Sequence, residues 1–161
     1  MRIGHGFDAH RLVPGRPLRL GGIEVPFATG LEGHSDGDVL LHAVTSALLG
    51  ALGAGDMGRH FPSSDPSLEG VASAELLARV AQQVRAGGWV VGNLDATVVA
   101  QAPRLAPHLA DMEAKIAEVL GVARERVNVK VTSTDGLGSV GRGEGMAAHA
   151  VALLVRGGEG A

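Results

Sequence analysis

The run Met146–Val155, MAAHAVALLV, constrains this chain more than any other segment, because it is apolar at consecutive positions apart from His149. Successive strand residues point to opposite faces, so a strand of this kind leaves no face for water. It therefore predicts a strand at the centre of a sheet or at a contact between subunits.

The segments that precede it alternate between strand and helix signals. Residues 2–9 read as a strand ending in polar groups. Leu18-Arg19-Leu20, Gly21-Gly22 and Ile23-Glu24-Val25 read as a hairpin, with the two glycines supplying the positive φ of a tight turn. Ser35 reads as an N-cap with Asp38 as its capping-box partner, opening a helix over about Asp36–Leu52 that Gly53 and Gly55 stop. A loop spans 53–70. Ser73 then reads as the cap of a second helix with Leu76, Leu77, Val80, Ala81 and Val84 at helical spacing. Val90–Ala100 reads as a strand, and a third helix is expected near Pro107, with Leu105, Leu109, Met112, Ile116 and Val119 along its buried side. Val127, Val129 and Val131 alternate with polar residues, and a glycine-rich loop, 136–145, leads into the last strand. This order predicts an α+β fold, a two-layer mixed sheet with helices packed on one face. At 161 residues and 45% hydrophobic, the chain suits one domain over 1–161 with one core, and the tail 157–161 is expected to fray.

Several classes are excluded at this level. With no cysteine there is neither a disulfide nor a thiolate metal site, so a transition metal would need His, Asp or Glu. A net charge of -3 and 2% aromatics argue against nucleic-acid binding. No apolar run approaches the ~20 residues of a membrane span. The chain opens at once on strand-like residues, so no targeting segment and a cytoplasmic location are expected.

Chemistry-bearing residues cluster at the ends of these elements. Asp8 and His10 stand two apart in a strand, hence on one face, and offer two ligands of a three-ligand metal site with an open position. The same spacing reads more readily as a surface Asp–His pair, and alternation turns His5 away from it. His34-Ser35-Asp36-Gly37-Asp38 lies just before the expected helix, where free N–H groups favour an anion, and His42 lies inside that helix. Solvated caps and a core histidine explain these residues equally well. Gly55-Asp56-Met57-Gly58 and Phe61-Pro62-Ser63-Ser64-Asp65 allow close approach to backbone, or are ordinary turns. Ala100-Gln101-Ala102-Pro103-Arg104 and Thr132-Ser133-Thr134-Asp135 end strands where ligands commonly bind. Arg142, in Gly141-Arg142-Gly143-Glu144-Gly145, could grip a phosphate or pair with Glu144.

Taken in order, IGHGFDAH at 3–10, HSDGD at 34–38 with His42, GDMG at 55–58, FPSSDP at 61–66, AQAP at 100–103, NVKVT at 128–132 and GRGEG at 141–145 resemble the cyclodiphosphate synthase family over nearly the whole chain. The resemblance implies a homotrimer with active sites at subunit boundaries and a nucleotide-diphosphate substrate. It implies that Asp8, His10 and His42 hold Zn²⁺ or a similar divalent ion, and that Asp135 holds Mg²⁺ or Mn²⁺. It implies that His34-Ser35, Asp56, Met57, Gly58, Phe61, Ser63 and Asp65 bind the methylerythritol end. Ala100, Pro103, Arg104, Leu105, Ala106, Thr132, Ser133, Thr134 and Asp135 would bind the cytidine and diphosphate end, with Arg142 beside an axial cavity. His34 and Ser133 would act catalytically. Asp135 stands where the family commonly has Glu, Ser133 where it has Thr, Ser63 where Asp is common and Ser139 where Phe is frequent. The competing classes are a metal-dependent phosphohydrolase using the same Asp-His-His set and a non-catalytic trimeric binding module.

Overall fold

A computed structural model describes residues 1–158. Its main sheet has five strands: β1 (Arg2–Pro14), β4 (Thr29–Leu31), β5 (Trp89–Val99), β6 (Val127–Thr132) and β7 (Gly145–Arg156), while β2 (Leu18–Leu20) and β3 (Ile23–Val25) form a separate hairpin. The sheet order is β4-β1-β7-β5-β6, so the apolar run at 146–155 is indeed the central strand. It pairs antiparallel with β1, from Arg2↔Leu154 to Arg11↔Gly145, and antiparallel with β5 on its other side. Strands β5 and β6 run parallel, from Leu94↔Val127 to Val99↔Thr132, which makes the sheet mixed.

Strand β1 runs five residues past its expected end. Polar side chains do not stop a strand whose backbone still has a partner: Leu12, Val13 and Pro14 lie opposite Leu31, Gly30 and Thr29 of β4. The helices are α1 (Val39–Leu52), α2 (Met57–His60), α3 (Ser73–Ala86), α4 (Leu109–Leu120) and α5 (Gly138–Gly141). The buried face of the sheet carries Ala148, Ala150, Ala152 and Leu154 of β7, Leu94, Ala96 and Val98 of β5, and Val127 and Val129 of β6. Leu48 of α1, Leu77 and Val80 of α3, and Met112 and Ile116 of α4 join the same core cluster. The opposite face is open: Ile3 is 71%, Phe7 54% and Val151 43% exposed. The last strand is therefore apolar on both faces, but this chain covers only one of them.

Small residues set the distance between α1 and the sheet. A Cβ on Gly4 would lie 1.9 Å from Ala47 O, and one on Gly6 1.9 Å from Ala43 O, so β1 touches the helix backbone directly. The α1 start differs from expectation. Gly37 turns the chain at φ 78°, and the helix is capped by Asp38, not Ser35. Asp38 Oδ1 accepts from Leu41 N and Gly21 N at 3.0 Å each, and Oδ2 from Gly22 N at 2.7 Å. The hairpin turn is thereby clipped to the helix. Burial pushes the Asp38 carboxyl upward, and these N–H donors oppose that. With the helix N-terminus occupied by Asp38, it offers no anion site to His34.

Helix α3 begins at Ser73, whose side chain does not cap it; Asp36 does so from the turn before α1, its Oδ2 accepting from Ser73 N at 3.1 Å. The 53–70 loop contains α2 and a 3-10 turn, Pro66–Leu68. The helix expected near Pro107 starts as a 3-10 turn, Ala106–His108, before α4. Among the described residues no helix is long and apolar enough to cross a membrane. Of the tail expected to fray, Gly157 N donates to Gly88 O at 3.1 Å, and residues 159–161 lie outside the described residues.

Candidate active site

Asp8 and His10 project from β1 on the face that packs against α1, two and four residues beyond Gly6, where the strand reaches the start of the helix. His42 stands in the first turn of α1. The three side chains meet there. Asp8 Oδ2 lies 2.7 Å from His10 Nε2 and 2.9 Å from His42 Nδ1, and the two ring nitrogens are 3.1 Å apart. All three ligand atoms lie within 4.8 Å of one another. The same-face reading of Asp8 and His10 is correct, and His5 points away.

The outer partners decide which nitrogens face inward. His10 Nδ1 contacts the Glu32 carbonyl, an acceptor only, so Nδ1 carries the proton and Nε2 is left for a metal. For His42 the argument passes through a hydroxyl. Ser73 Oγ donates to the Asp36 carboxylate, so its oxygen is free to accept from His42 Nε2 at 2.9 Å. Ser35 Oγ lies 3.0 Å from the same nitrogen. Nε2 of His42 is therefore the protonated one, and its Nδ1 lone pair points at Asp8. One carboxylate and two imidazoles with inward lone pairs fit a divalent metal with an open coordination position. Arg16 steadies the adjoining turn by donating to the Gly33 and Ser35 carbonyls at 2.9 and 2.7 Å.

Burial alone would raise the Asp8 carboxyl; when the rings carry inward protons, hydrogen bonds and charge from His10 and His42 outweigh it and hold the carboxyl well below the usual carboxylate range. Burial alone would lower His10, and the Asp8 carboxylate reverses that, so His10 is raised. The group thus favours positive charge beside Asp8, which a bound cation would supply.

Ser73, read from the sequence as a helix cap, and Asp36, read as part of the HSDGD turn and helix start, stand behind His42. Their signal in the sequence is indistinguishable from a cap, because the hydroxyl and the carboxylate lie 37 residues apart. Ser73→Ala should remove the acceptor that orients His42. Divalent-ion affinity is expected to fall about 10–100-fold in chelator competition. Unchanged affinity would show that Ser35 alone orients the ring.

A cavity of about 430 Å³ opens over this group, lined by Asp8, His10, His34, Ser35 and His42 on its polar side. Met57, Phe61, Leu68 and Leu76 form apolar wall, with Gly58 and Ser63 at the edge. Asp56 and Asp65 shape the loop rather than line the cavity. Asp56 caps α2 through Arg59 N, and Asp65 caps the 3-10 turn through Ser67 N, both at 2.9 Å. His34 Nε2 lies 3.2 Å from the Asp65 carbonyl, tying the HSDGD turn to that loop.

The second predicted group gathers elsewhere. Ala100, Pro103, Arg104, Leu105, Ala106, Thr132 and Ser133 line a cavity of about 310 Å³ where β5 and β6 end. Beyond it Ser133 Oγ donates to Asp135 Oδ1 at 3.2 Å, and Thr134 Oγ1 donates to the Leu137 carbonyl at 2.6 Å. Asp135 holds φ 51°, unusual for a side-chain-bearing residue. Arg142 lines neither cavity; its Nε donates to Glu144 Oε1 at 2.6 Å, and Glu144 raises the guanidinium pKa. Both cavities lie at one end of the sheet, but not side by side. Ala9 pairs with Ala147, Ala147 with Val99 and Val99 with Thr132. Three strand spacings of ~4.8 Å put Thr132 about 14 Å from the Asp8–His10 strand.

Known proteins share this fold. The YgbB family model matches residues 1–155. The curated 2-C-methyl-D-erythritol 2,4-cyclodiphosphate synthase of Thiobacillus denitrificans is 60% identical over 157 residues, covering 98% of this chain and 98% of its own. The solved bifunctional IspDF from Campylobacter jejuni matches with TM-score 0.93 and 41% identity over 97% of this chain, which spans 42% of that longer one. A solved 2C-methyl-D-erythritol-2,4-cyclodiphosphate synthase in a CDP-bound form matches with TM-score 0.88 and 35% identity, over 96% of this chain and 100% of that one. With an Asp-His-His group in place and relatives matched from end to end, the chain belongs to the YgbB family, the cyclodiphosphate synthases that its motifs resemble.

Proposed function

We propose that this chain converts 4-diphosphocytidyl-2-C-methyl-D-erythritol 2-phosphate into 2-C-methyl-D-erythritol 2,4-cyclodiphosphate and CMP. The observation that carries this reading is the Asp8–His10–His42 group, its ring nitrogens turned inward, at one wall of a cavity whose other wall is apolar. A small branched carbon skeleton bearing a phosphate matches both walls. The CDP-bound relative supports a cytidine nucleotide as part of the ligand.

In the reaction a 2-phosphate oxygen attacks the β-phosphorus. The bond from that phosphorus to the bridging oxygen of CMP breaks, and CMP leaves as the eight-membered ring closes. The nucleophile is already anionic near neutral pH, so no strong general base is required. The barrier lies in bringing two anions together in line. A Zn²⁺-type ion on Asp8, His10 and His42 and a Mg²⁺ or Mn²⁺ on Asp135 would, when bound, neutralise phosphate charge there. The protein's own residues do the positioning. Met57, Phe61, Leu68 and Leu76 pack the carbon skeleton. Ala100, Pro103, Arg104, Leu105 and Ala106 hold the cytidine end, and Thr132, Ser133 and Thr134 hold the diphosphate. Fixing both ends makes the attack effectively intramolecular, worth up to ~7–11 kcal/mol in well-oriented reactions. His34 and Ser133 donate to oxygens that gain charge in the transition state.

Mass analysis of the product tests the reading. In ¹⁸O-labelled water the expected product is the cyclic diphosphate with no label. A linear, labelled phosphate would assign the site to a phosphohydrolase.

The active unit is a homotrimer with its sites between subunits. The ~14 Å between the two cavities of one chain supports this, because one reacting diphosphate cannot touch His10 and Ser133 of the same subunit. The open apolar face with Ile3, Phe7 and Val151 supports it too. Mixing two inactive variants, His10→Ala and Asp135→Asn, after dissociation should restore activity at about one quarter of the interfaces, the share that random assortment leaves intact. A mixture as inactive as its parents would place each site within a single chain.

A further inference from the structure

We propose that Asp36 is a positioning residue for the Asp8–His10–His42 group: acting through the Ser73 hydroxyl, it sets which nitrogen of His42 carries the proton and so which one is left to bind a cation. The proposal rests on reading those three residues as metal ligands, but it concerns a side chain that is not a ligand and does not line the cavity over them. The link runs through α3. His42 Nε2 is 2.9 Å from Ser73 Oγ, and that hydroxyl donates to Asp36 Oδ1.

An ionised carboxylate only accepts, so it fixes one end of the chain of hydroxyls. Asp36 Oδ1 also accepts from Asp38 N at 3.2 Å, and Oδ2 accepts from Ser73 N at 3.1 Å. Three donors on two oxygens suit a carboxylate and no amide, because an amide turns an N–H₂ toward at least one of them. Arg19, which lines the same cavity as Asp36, is paired with Glu24 at 2.9 Å, so the carboxylate is left to these donors.

The hydroxyl protons then settle in one direction. With its proton on Asp36, Ser73 Oγ turns lone pairs toward His42 Nε2. A bare Nε2 would set lone pair against lone pair at 2.9 Å, whereas a protonated Nε2 makes a hydrogen bond. Ser35 Oγ lies 3.0 Å from the same nitrogen and 3.2 Å from Ser73 Oγ. It can donate to Nε2 or accept from it, so Ser35 serves either tautomer and does not decide between them. Ser35, His42 and Ser73 are all buried, so water does not relieve the mismatch. The opposite tautomer would put the proton on Nδ1, facing Asp8 Oδ2 at 2.9 Å, where a cation would have to displace it. Asp36 thus biases the ring toward the form that binds.

Long-range ¹H–¹⁵N correlation spectra of metal-free, histidine-labelled protein, at a pH where the rings are neutral, read the tautomer directly. His42 is expected to be protonated on Nε2 in the native chain and to shift toward Nδ1 in Asp36→Asn, whose amide can donate to Ser73 Oγ and free the hydroxyl proton for Nε2. The same shift is expected in Ser73→Ala. In chelator competition Asp36→Asn should weaken Zn²⁺ binding about tenfold or more, and it should add no further loss on top of Ser73→Ala. If Asp36 only caps α3, the variant melts earlier, the tautomer stays in place and the two losses add; an unmoved tautomer or additive losses would overturn the proposal. Should Asp36→Asn not fold, an unshifted His42 in Ser73→Ala would overturn it equally. Neither readout uses substrate or turnover, so the outcome is separate from that of the cyclisation reading.

Discussion

His10→Ala is expected to lose the bound divalent ion and the turnover together, while the fold survives. The His10 side chain is 18% exposed and lies at the site rather than in the core, so its removal takes away little packing. It does take away one of the three groups that could hold a metal and one of the two rings beside the Asp8 carboxylate. Turnover should fall by at least about 10²-fold, the loss typical of a single group that stabilises transition-state charge. Elemental analysis and a melting curve on the same preparation separate the two effects. A variant with full metal content would remove His10 from the ligand set. A collapsed melting transition would show that the histidine is structural.

Gly6→Ala should do more damage with a smaller change. The added methyl would stand 1.9 Å from Ala43 O and 2.7 Å from Ala47 N, against helix backbone that no side-chain rotation can move. Either α1 lifts away from β1 or the strand bends. Overpacking of this kind is expected to cost about 3 kcal/mol or more, read as a lower denaturant midpoint. The functional effect follows from the same displacement. Asp8 and His10 belong to β1 and His42 to α1, and their mutual distances of 2.7 to 3.1 Å hold only while strand and helix touch. A folded fraction of Gly6→Ala should therefore bind the divalent ion poorly. An unchanged midpoint with normal metal content would mean that the contact at Gly6 is not what spaces the two elements.

These two positions also mark the boundary of what the chain discloses before it folds. Periodicity placed the long elements: the apolar run at 146–155 became the central strand, and Leu76, Leu77, Val80, Ala81 and Val84 all turned inward on α3. Spacing of two in a strand was enough to put Asp8 and His10 on one face, because strand geometry is local. The ordered motifs were enough for the family. Capping was misassigned where a polar side chain had several partners within reach. Ser35, Asp36, Asp38 and Ser73 are all good caps by type, and chain order cannot say which carboxylate meets which N–H. Packing α1 against the Gly21-Gly22 turn gave Asp38 to the helix, and packing α3 beside it gave Asp36 to Ser73. Only after that was Ser73 available to orient His42, 31 residues away. Local periodicity is written in neighbouring residues, whereas the protonated nitrogen of a ligand histidine is chosen by whatever the tertiary fold brings to its far side.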